Sequence, residues 1–81
     1  MCGTGIGISI AANKIKGIRC ALCHDHYTAS MARKHNDANV LSIGGRTTGI
    51  EVAKEILNTF LTEQFDGAHH VARLAKVHSL E

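Results

Sequence analysis

A cysteine followed by a glycine-rich turn, Cys-Gly-Thr-Gly-Ile-Gly at positions 2–7, is the first segment of the sequence that could do chemistry. The glycines are Gly3, Gly5 and Gly7. Glycines permit close backbone approach, so their N–H groups can cradle an anion, with the Thr4 hydroxyl as a further polar contact. The same N–H groups and the positive end of a following helix would favour the thiolate of Cys2. By composition alone, Cys2 would instead be a small buried hydrophobe, and the turn a tight strand-to-helix connection.

Further along the chain, a histidine and two arginines have side chains suited to proton transfer and phosphate binding. His35, next to Asn36, lies at the predicted end of a helix, where an imidazole can move a proton near neutral pH. Arg46 and Arg73 carry guanidinium forks that match the oxygens of a phosphate. Without further context, each would be an ordinary solvated side chain.

A second group of cysteines, Cys20-Ala-Leu-Cys23-His24, has the C-x-x-C-H spacing of covalent haem attachment, and with His26 it could also bind zinc. The same segment fits a short buried strand, in which Cys20 and Cys23 would project to opposite faces. A pattern this short also recurs by chance. A haem- or zinc-binding module is therefore kept as an alternative.

The elements that must position these residues alternate between helix and strand. The glycine turn runs into a helix predicted from Ile8, with Gly17 as its stop. Apolar runs at 18–23 and 39–43 predict two buried strands, and a helix at 27–35, capped by Asp25, separates them.

Two more helices are predicted after the second strand. The segment Thr48-Gly-Ile-Glu51 has the pattern of a capping box and predicts a helix that starts there and continues to about Glu63. A final helix includes residues 71–78. This order implies a parallel sheet with helical crossovers, and such sheets usually have more than two strands. We therefore expect a truncated chain whose missing strands lie upstream.

Composition narrows the classes of protein further. A chain of 81 residues forms one small domain that buries only about 60% of its unfolded surface, so we expect it to need a partner. The net charge of +2 and the three aromatic residues give no nucleic-acid surface, and no apolar run is long enough to cross a membrane. Three cysteines without a signal peptide favour the cytoplasm. Leu80-Glu81 is expected to be the remnant of a cloning tag.

Six segments, taken together, resemble the type B ribose-5-phosphate isomerases. In order, and with the spacing of that family, they are residues 2–7, 11–14, 24–25, 31–41, 44–46 and 65–67. The related galactose-6-phosphate isomerase subunits share much of the pattern but usually lack the cysteine at position 2. The resemblance covers nearly the whole chain and is to the C-terminal half of a family member, so residues 1–79 are expected to be the C-terminal portion of one domain.

The resemblance implies a fold, a reaction and an assembly. The fold would be α/β, a fragment of a Rossmann-like three-layer sandwich with a short parallel sheet and about four helices. The reaction would interconvert ribose 5-phosphate and ribulose 5-phosphate through an enediolate, with no metal or organic cofactor. The assembly would be a homodimer or tetramer with active sites at the subunit interface.

Roles for individual residues follow from the positions that match the family. Cys2 would be the base that removes the carbon-bound proton, and His35 would assist ring opening. The loop Gly3, Thr4, Gly5 and Gly7 would contact the enediolate. Substrate contacts would come from Asn36, and phosphate contacts from Arg46, His69 and Arg73.

One position departs from the family. Where Phe-Glu-Gly-Gly-Arg-His is common, this chain has Phe-Asp-Gly-Ala-His-His, so His69 takes the place of the usual arginine. A histidine can donate to phosphate but is only partly charged at neutral pH, which implies weaker phosphate affinity or a different substrate. The alternative function is a catalytically inactive fragment of such an enzyme that oligomerises through its exposed sheet edge.

Overall fold

The computed structural model describes all 81 residues as four helices and a two-stranded parallel sheet. The elements in chain order are α1 (Ile6–Asn13), β1 (Cys20–Leu22), α2 (His26–Lys34), β2 (Val40–Ser42), α3 (Ile50–Thr62) and α4 (His69–His78). The predicted alternation of helix and strand is confirmed. No helix has the length and apolar character that a membrane span requires.

The sheet places a third stretch of chain beside the two strands. β1 and β2 pair in parallel, with Cys20 opposite Val40 and Leu22 opposite Ser42. An isolated parallel bridge joins Cys2 to Gly44, just beyond the end of β2. The chain that enters the glycine loop therefore runs alongside the strands.

The core lies where α2 and α3 pack together beside the sheet. Its buried hydrophobic residues are small except for the two isoleucines: Cys23, Ala29, Ala32, Ala38, Ile43 and Ile56. The alanines of α2 let the helices approach closely. By contrast, α1 buries only Ser9, and its isoleucines remain exposed.

The starts of α2 and α3 show one correct and one wrong prediction of a cap. Asp25 does cap α2, because its carboxylate accepts a hydrogen bond from the Thr28 N–H at 2.7 Å. In return, the Thr28 hydroxyl accepts from the Asp25 N–H. The capping box predicted at Thr48 does not form, since the N-cap of α3 is Gly49 and no side chain bonds there. The Thr48 N–H instead donates to the Gly44 carbonyl at 3.1 Å, which holds Thr48 in the turn after β2.

α1 begins two residues earlier than predicted, and α4, for which only contained residues were predicted, begins at His69. α1 starts at Ile6 because Gly5 takes up a left-handed conformation, with φ of 79°, and acts as its N-cap. α4 starts at His69, directly after Ala68, which also has a positive φ. Gly7 and His69, two of the predicted site residues, therefore lie within helices.

The two ends of the parallel strands define two edges of the fold. The carboxyl edge follows Leu22 and Ser42, and the amino edge precedes Cys20 and Val40. α2 runs from the carboxyl edge back to the amino edge. Its nine residues span about 13 Å at 1.5 Å per residue. Each site residue below belongs to one of these edges.

Candidate active site

The glycine loop at the carboxyl edge is held by backbone and side-chain bonds to the end of β2. The Gly45 N–H donates to the Cys2 carbonyl at 2.7 Å, and the Arg46 N–H donates to the Gly3 carbonyl at 2.9 Å. The buried Ser42 hydroxyl donates to the Gly5 carbonyl at 2.6 Å. The loop is thus fixed at several points, and α1 leaves it in a defined direction.

The Cys2 thiol lies at the N-terminal end of α1, as predicted. The backbone N–H of Ile8 lowers the pKa of the thiol most, partial desolvation raises it, and the N–H groups of Gly5 and Thr4 lower it again. The net pKa lies below its ordinary value, because free N–H groups at a helix start favour negative charge. Cys2 is only half-buried, so this thiol is open to a ligand.

Arg46 and Thr4 complete the group at the carboxyl edge. The Arg46 side chain lies over Gly3, where an added Cβ would be 3.5 Å from its Cδ and 3.8 Å from Cζ. The Thr4 hydroxyl accepts from the Ile6 N–H at 3.3 Å. A thiol of lowered pKa, the N–H groups of the loop and a guanidinium therefore occupy one small region.

The remaining predicted residues lie at the amino edge. His35 is the C-cap of α2, with its N–H bonded to the Met31 carbonyl at 2.8 Å, and Asn36 follows it. His69 and Arg73 are one turn apart on α4. The fold brings α4 to this edge, where His78 Nε2 lies 3.2 Å from Arg19 Nη1, just ahead of β1.

A cluster of three imidazoles joins α2 to α4 at this edge. The ring of His70 stacks on His35 with centroids 4.3 Å apart and also contacts His69 at 4.0 Å. Desolvation lowers the pKa of His70 most, and the neighbouring His69 and His35 lower it further. The sequence reasoning missed His70. The only available signal was its place beside His69, because the contact with His35 is made through the tertiary fold.

The predicted site residues, with His70, therefore fall into two groups at opposite edges of the fold. The carboxyl-edge group is Cys2, Thr4, the loop glycines and Arg46. The amino-edge group is His35, Asn36, His69, His70 and Arg73. The length of α2, about 13 Å, separates the edges, whereas proton transfer requires contact within about 3 Å.

The Cys20 and Cys23 pair does not form part of a metal-binding cluster. No group of three or more histidine, cysteine, aspartate or glutamate side chains lies close enough together to hold a metal ion. Burial raises the pKa of both thiols, and Cys23 is only 1% exposed. These thiols are disposed toward the neutral form, which is a poor metal ligand. The haem or zinc alternative gains no support from this geometry.

Comparison with known proteins identifies the family. The family model described as Ribose/Galactose Isomerase matches residues 1–77. The chain belongs to this family. Ribose-5-phosphate isomerase B of Escherichia coli is 47% identical to this member of the Ribose/Galactose Isomerase family over 81 residues, covering 100% of the chain and 54% of that protein.

Two further relatives show the fold and the range of named substrates within the family. The structure of the Trypanosoma brucei type B ribose 5-phosphate isomerase matches with a TM-score of 0.97 and 59% identity, over 99% of this chain and 54% of that one. This match confirms the Rossmann-like α/β fold. The D-erythrulose-4-phosphate isomerase of Pectobacterium atrosepticum is 48% identical over 77 residues, 95% of this chain and 51% of that protein.

This Ribose/Galactose Isomerase chain spans about half the length of the curated relatives that it matches. The comparisons do not support the narrower expectation that this is the C-terminal half.

Proposed function

We propose that this chain carries catalytic parts of a phosphosugar isomerase that interconverts ribose 5-phosphate and ribulose 5-phosphate. The observation that carries the proposal is the Cys2 thiol, whose lowered pKa and position beside the glycine loop suit a base next to a nascent oxyanion. Membership of the Ribose/Galactose Isomerase family and the names of its relatives support the same reaction class.

The proposed chemistry transfers protons within the sugar and adds no other atoms. The Cys2 thiolate removes the proton from C2 of the open-chain aldose, and the electrons left behind form an enediolate. N–H groups of the loop and the Thr4 hydroxyl stabilise its negative oxygen. Return of the proton to C1, with a proton shift between the two oxygens, gives the ketose. Gly3, Gly5 and Gly7 allow the backbone to approach the reacting carbons.

The residues of the amino edge would open the ring and bind the phosphate. His35 would pass a proton to the furanose oxygen, and Asn36 would contact the sugar. His69 and Arg73, one turn apart on α4, would bind phosphate oxygens together with Arg46. Cys2 and His35 would carry the protons of these steps, so the proposal includes no metal or organic cofactor.

A second copy of the chain would complete the site. The two residue groups lie at opposite edges, so the amino edge of one copy would have to face the carboxyl edge of another. The α1 surface beside Cys2 supports this arrangement, because Ile6 and Ile10, one turn apart on the same face of α1, are 51% and 57% exposed. Apolar residues grouped in this way mark an interaction surface. We therefore propose a homodimer, or a tetramer built from such dimers.

An isomerase assay tests the reaction. Ribose 5-phosphate is supplied to the chain alone and to the chain joined to the half of the E. coli relative that it does not match. Ketose formation by the joined protein is expected. No turnover in either form would contradict the proposal. Faster turnover of D-erythrulose 4-phosphate would contradict ribose 5-phosphate as the preferred substrate, but the reaction class would stand.

The second candidate function is an inactive fragment that oligomerises. Its support is that the chain spans about half of each matched relative. Light scattering of the chain alone, combined with the assay, separates the two candidates. A stable oligomer without turnover, with no gain after joining to the missing half, would favour the inactive fragment. A folded monomer at micromolar concentration would contradict the predicted assembly.

A further inference from the structure

Ser42, at the end of β2, makes the one side-chain hydrogen bond that reaches the glycine loop from outside the loop and α1. Its hydroxyl donates to the Gly5 carbonyl at 2.6 Å, although 37 residues separate the two in the sequence. Ser42 is only 2% exposed, so water cannot readily replace this bond. No substrate role has been assigned to it above.

The Gly5 carbonyl has a second partner that links this bond to α1. It also accepts from the Ser9 N–H at 3.3 Å, the first hydrogen bond of the helix. Because a peptide group is planar, fixing the Gly5 carbonyl also fixes the N–H of Ile6 on the same plane. The Ile6 N–H itself donates to the Thr4 hydroxyl. Ser42 therefore acts on the start of α1 as a unit, and that first turn carries the Ile8 N–H, the group that lowers the pKa of Cys2 most.

Gly5 itself is closely surrounded. A Cβ on Gly5 would lie 2.5 Å from Leu22 Cδ1 and 3.0 Å from the Gly44 nitrogen. The left-handed φ of 79° at Gly5 is held against these neighbours. A hydrogen bond to the carbonyl is then what selects one orientation of the peptide group.

We propose that Ser42 is a positioning residue for Cys2, acting through the Gly5 carbonyl to hold the start of α1 so that the Ile8 N–H points toward the Cys2 sulfur. This inference rests on the proposed role of Cys2 in isomerisation. The thiol itself can be measured without any turnover, so the two ideas can fail separately.

The test is the pH profile of Cys2 alkylation in the intact chain, followed by mass spectrometry. Iodoacetamide reacts with the thiolate, so the midpoint of the profile reports the acidity of the thiol. Ser42→Ala is expected to raise the midpoint by about 0.5 pH unit, which slows alkylation near neutral pH about threefold. Ser42→Thr retains a hydroxyl donor and is expected to keep the midpoint closer to that of the unmodified chain.

Two internal controls keep the result interpretable. Cys23 is buried, so molecules in which it stays unmodified are folded, and only these are counted. Ser30→Ala removes another buried serine hydroxyl, from α2, and is expected to leave the Cys2 midpoint unchanged. An unchanged midpoint in Ser42→Ala, or an equal rise in Ser30→Ala, would overturn the positioning role. Full isomerase activity after Cys2→Ala would instead remove the catalytic role of Cys2.

Discussion

The rings of His35 and His70 stack almost parallel, with centroids 4.3 Å apart and planes inclined by 19°. His35 ends α2 and His70 belongs to the first turn of α4. The ring of His69 also contacts His70, with centroids 4.0 Å apart. A proton on His35 or His69 therefore opposes protonation of His70.

The His70 pKa predicts a loss of stability in mild acid. Desolvation first, and then His69 and His35, lower the pKa of His70 from 6.5. Well above pH 6.5 the ring is neutral in both states and contributes nothing to the pH dependence. As the pH falls below that value, the unfolded chain takes up the proton first, so the free energy of unfolding decreases. Urea unfolding between pH 7.5 and 5 is expected to show this decrease.

His70→Gln is expected to reduce that dependence on pH. His24→Gln, at an exposed position on the opposite edge, is the matched control and is expected to retain it. If the free energy of unfolding depends equally on pH in the unmodified chain and in His70→Gln, His70 is not the cause of the acid destabilisation. In an NMR titration, His69→Gln is expected to raise the pKa of His70, because one repelling charge is removed.

Replacement of the proposed base is expected to separate catalysis from binding. In the form of the protein that turns over ribose 5-phosphate, Cys2→Ala is expected to lower kcat about 10³-fold, because a positioned base supplies acceleration of that order. Substrate affinity, measured by calorimetry, is expected to change little. Retained turnover would exclude Cys2 from the mechanism. Cys20→Ala, a second half-buried thiol, is the control.

Mixed copies test the shared site directly. Cys2→Ala and His35→Ala proteins are each expected to be inactive, because each removes a different half of every site. After they exchange subunits, half of the dimers contain both variants, and each has one intact site. The mixture is then expected to recover about a quarter of the activity. No recovery despite demonstrated exchange would show that one copy supplies both halves.

The glycine positions predict opposite effects on stability. Gly5→Ala is expected to destabilise the chain by about 3 kcal/mol, because the Cβ meets Leu22 and the backbone at a positive φ. Gly7→Ala is the matched control. Gly7 lies inside α1 with no atom within 4 Å of an added Cβ, so a gain of about 0.5 to 1 kcal/mol is expected. Urea unfolding measures both, and equal effects would contradict the packing of the loop.

The family's usual arginine can be restored at position 69. His69→Arg is expected to lower KM for a phosphorylated sugar about five- to tenfold, since a guanidinium is fully charged and can donate two hydrogen bonds. Ala75→Arg adds the same charge elsewhere on α4 and is expected to have little effect. An unchanged or higher KM in His69→Arg would place the phosphate elsewhere.

Local features were predictable because their causes lie within a few residues. Asp25 caps α2 through Thr28, three residues away, and the glycine loop leads into α1 within one turn. The lowered pKa of Cys2 follows from the same short segment. The capping box predicted at Thr48 does not form, because the Thr48 N–H donates to the Gly44 carbonyl in the preceding turn instead of to the Glu51 carboxylate.

The sequence by itself determined the family, the alternation of helix and strand, and the residue types of the proposed site. Only the tertiary structure decided which of those residues lie at the carboxyl edge of the sheet and which lie at the amino edge. A parallel pair of strands needs a crossover helix, and that helix carries His35 to the edge opposite Cys2. The stacking of His35 on His70 and the bond from Ser42 to Gly5 likewise depend on packing between segments 35 and 37 residues apart. Spacing along the chain does not encode such contacts, because they form only when separate elements pack together.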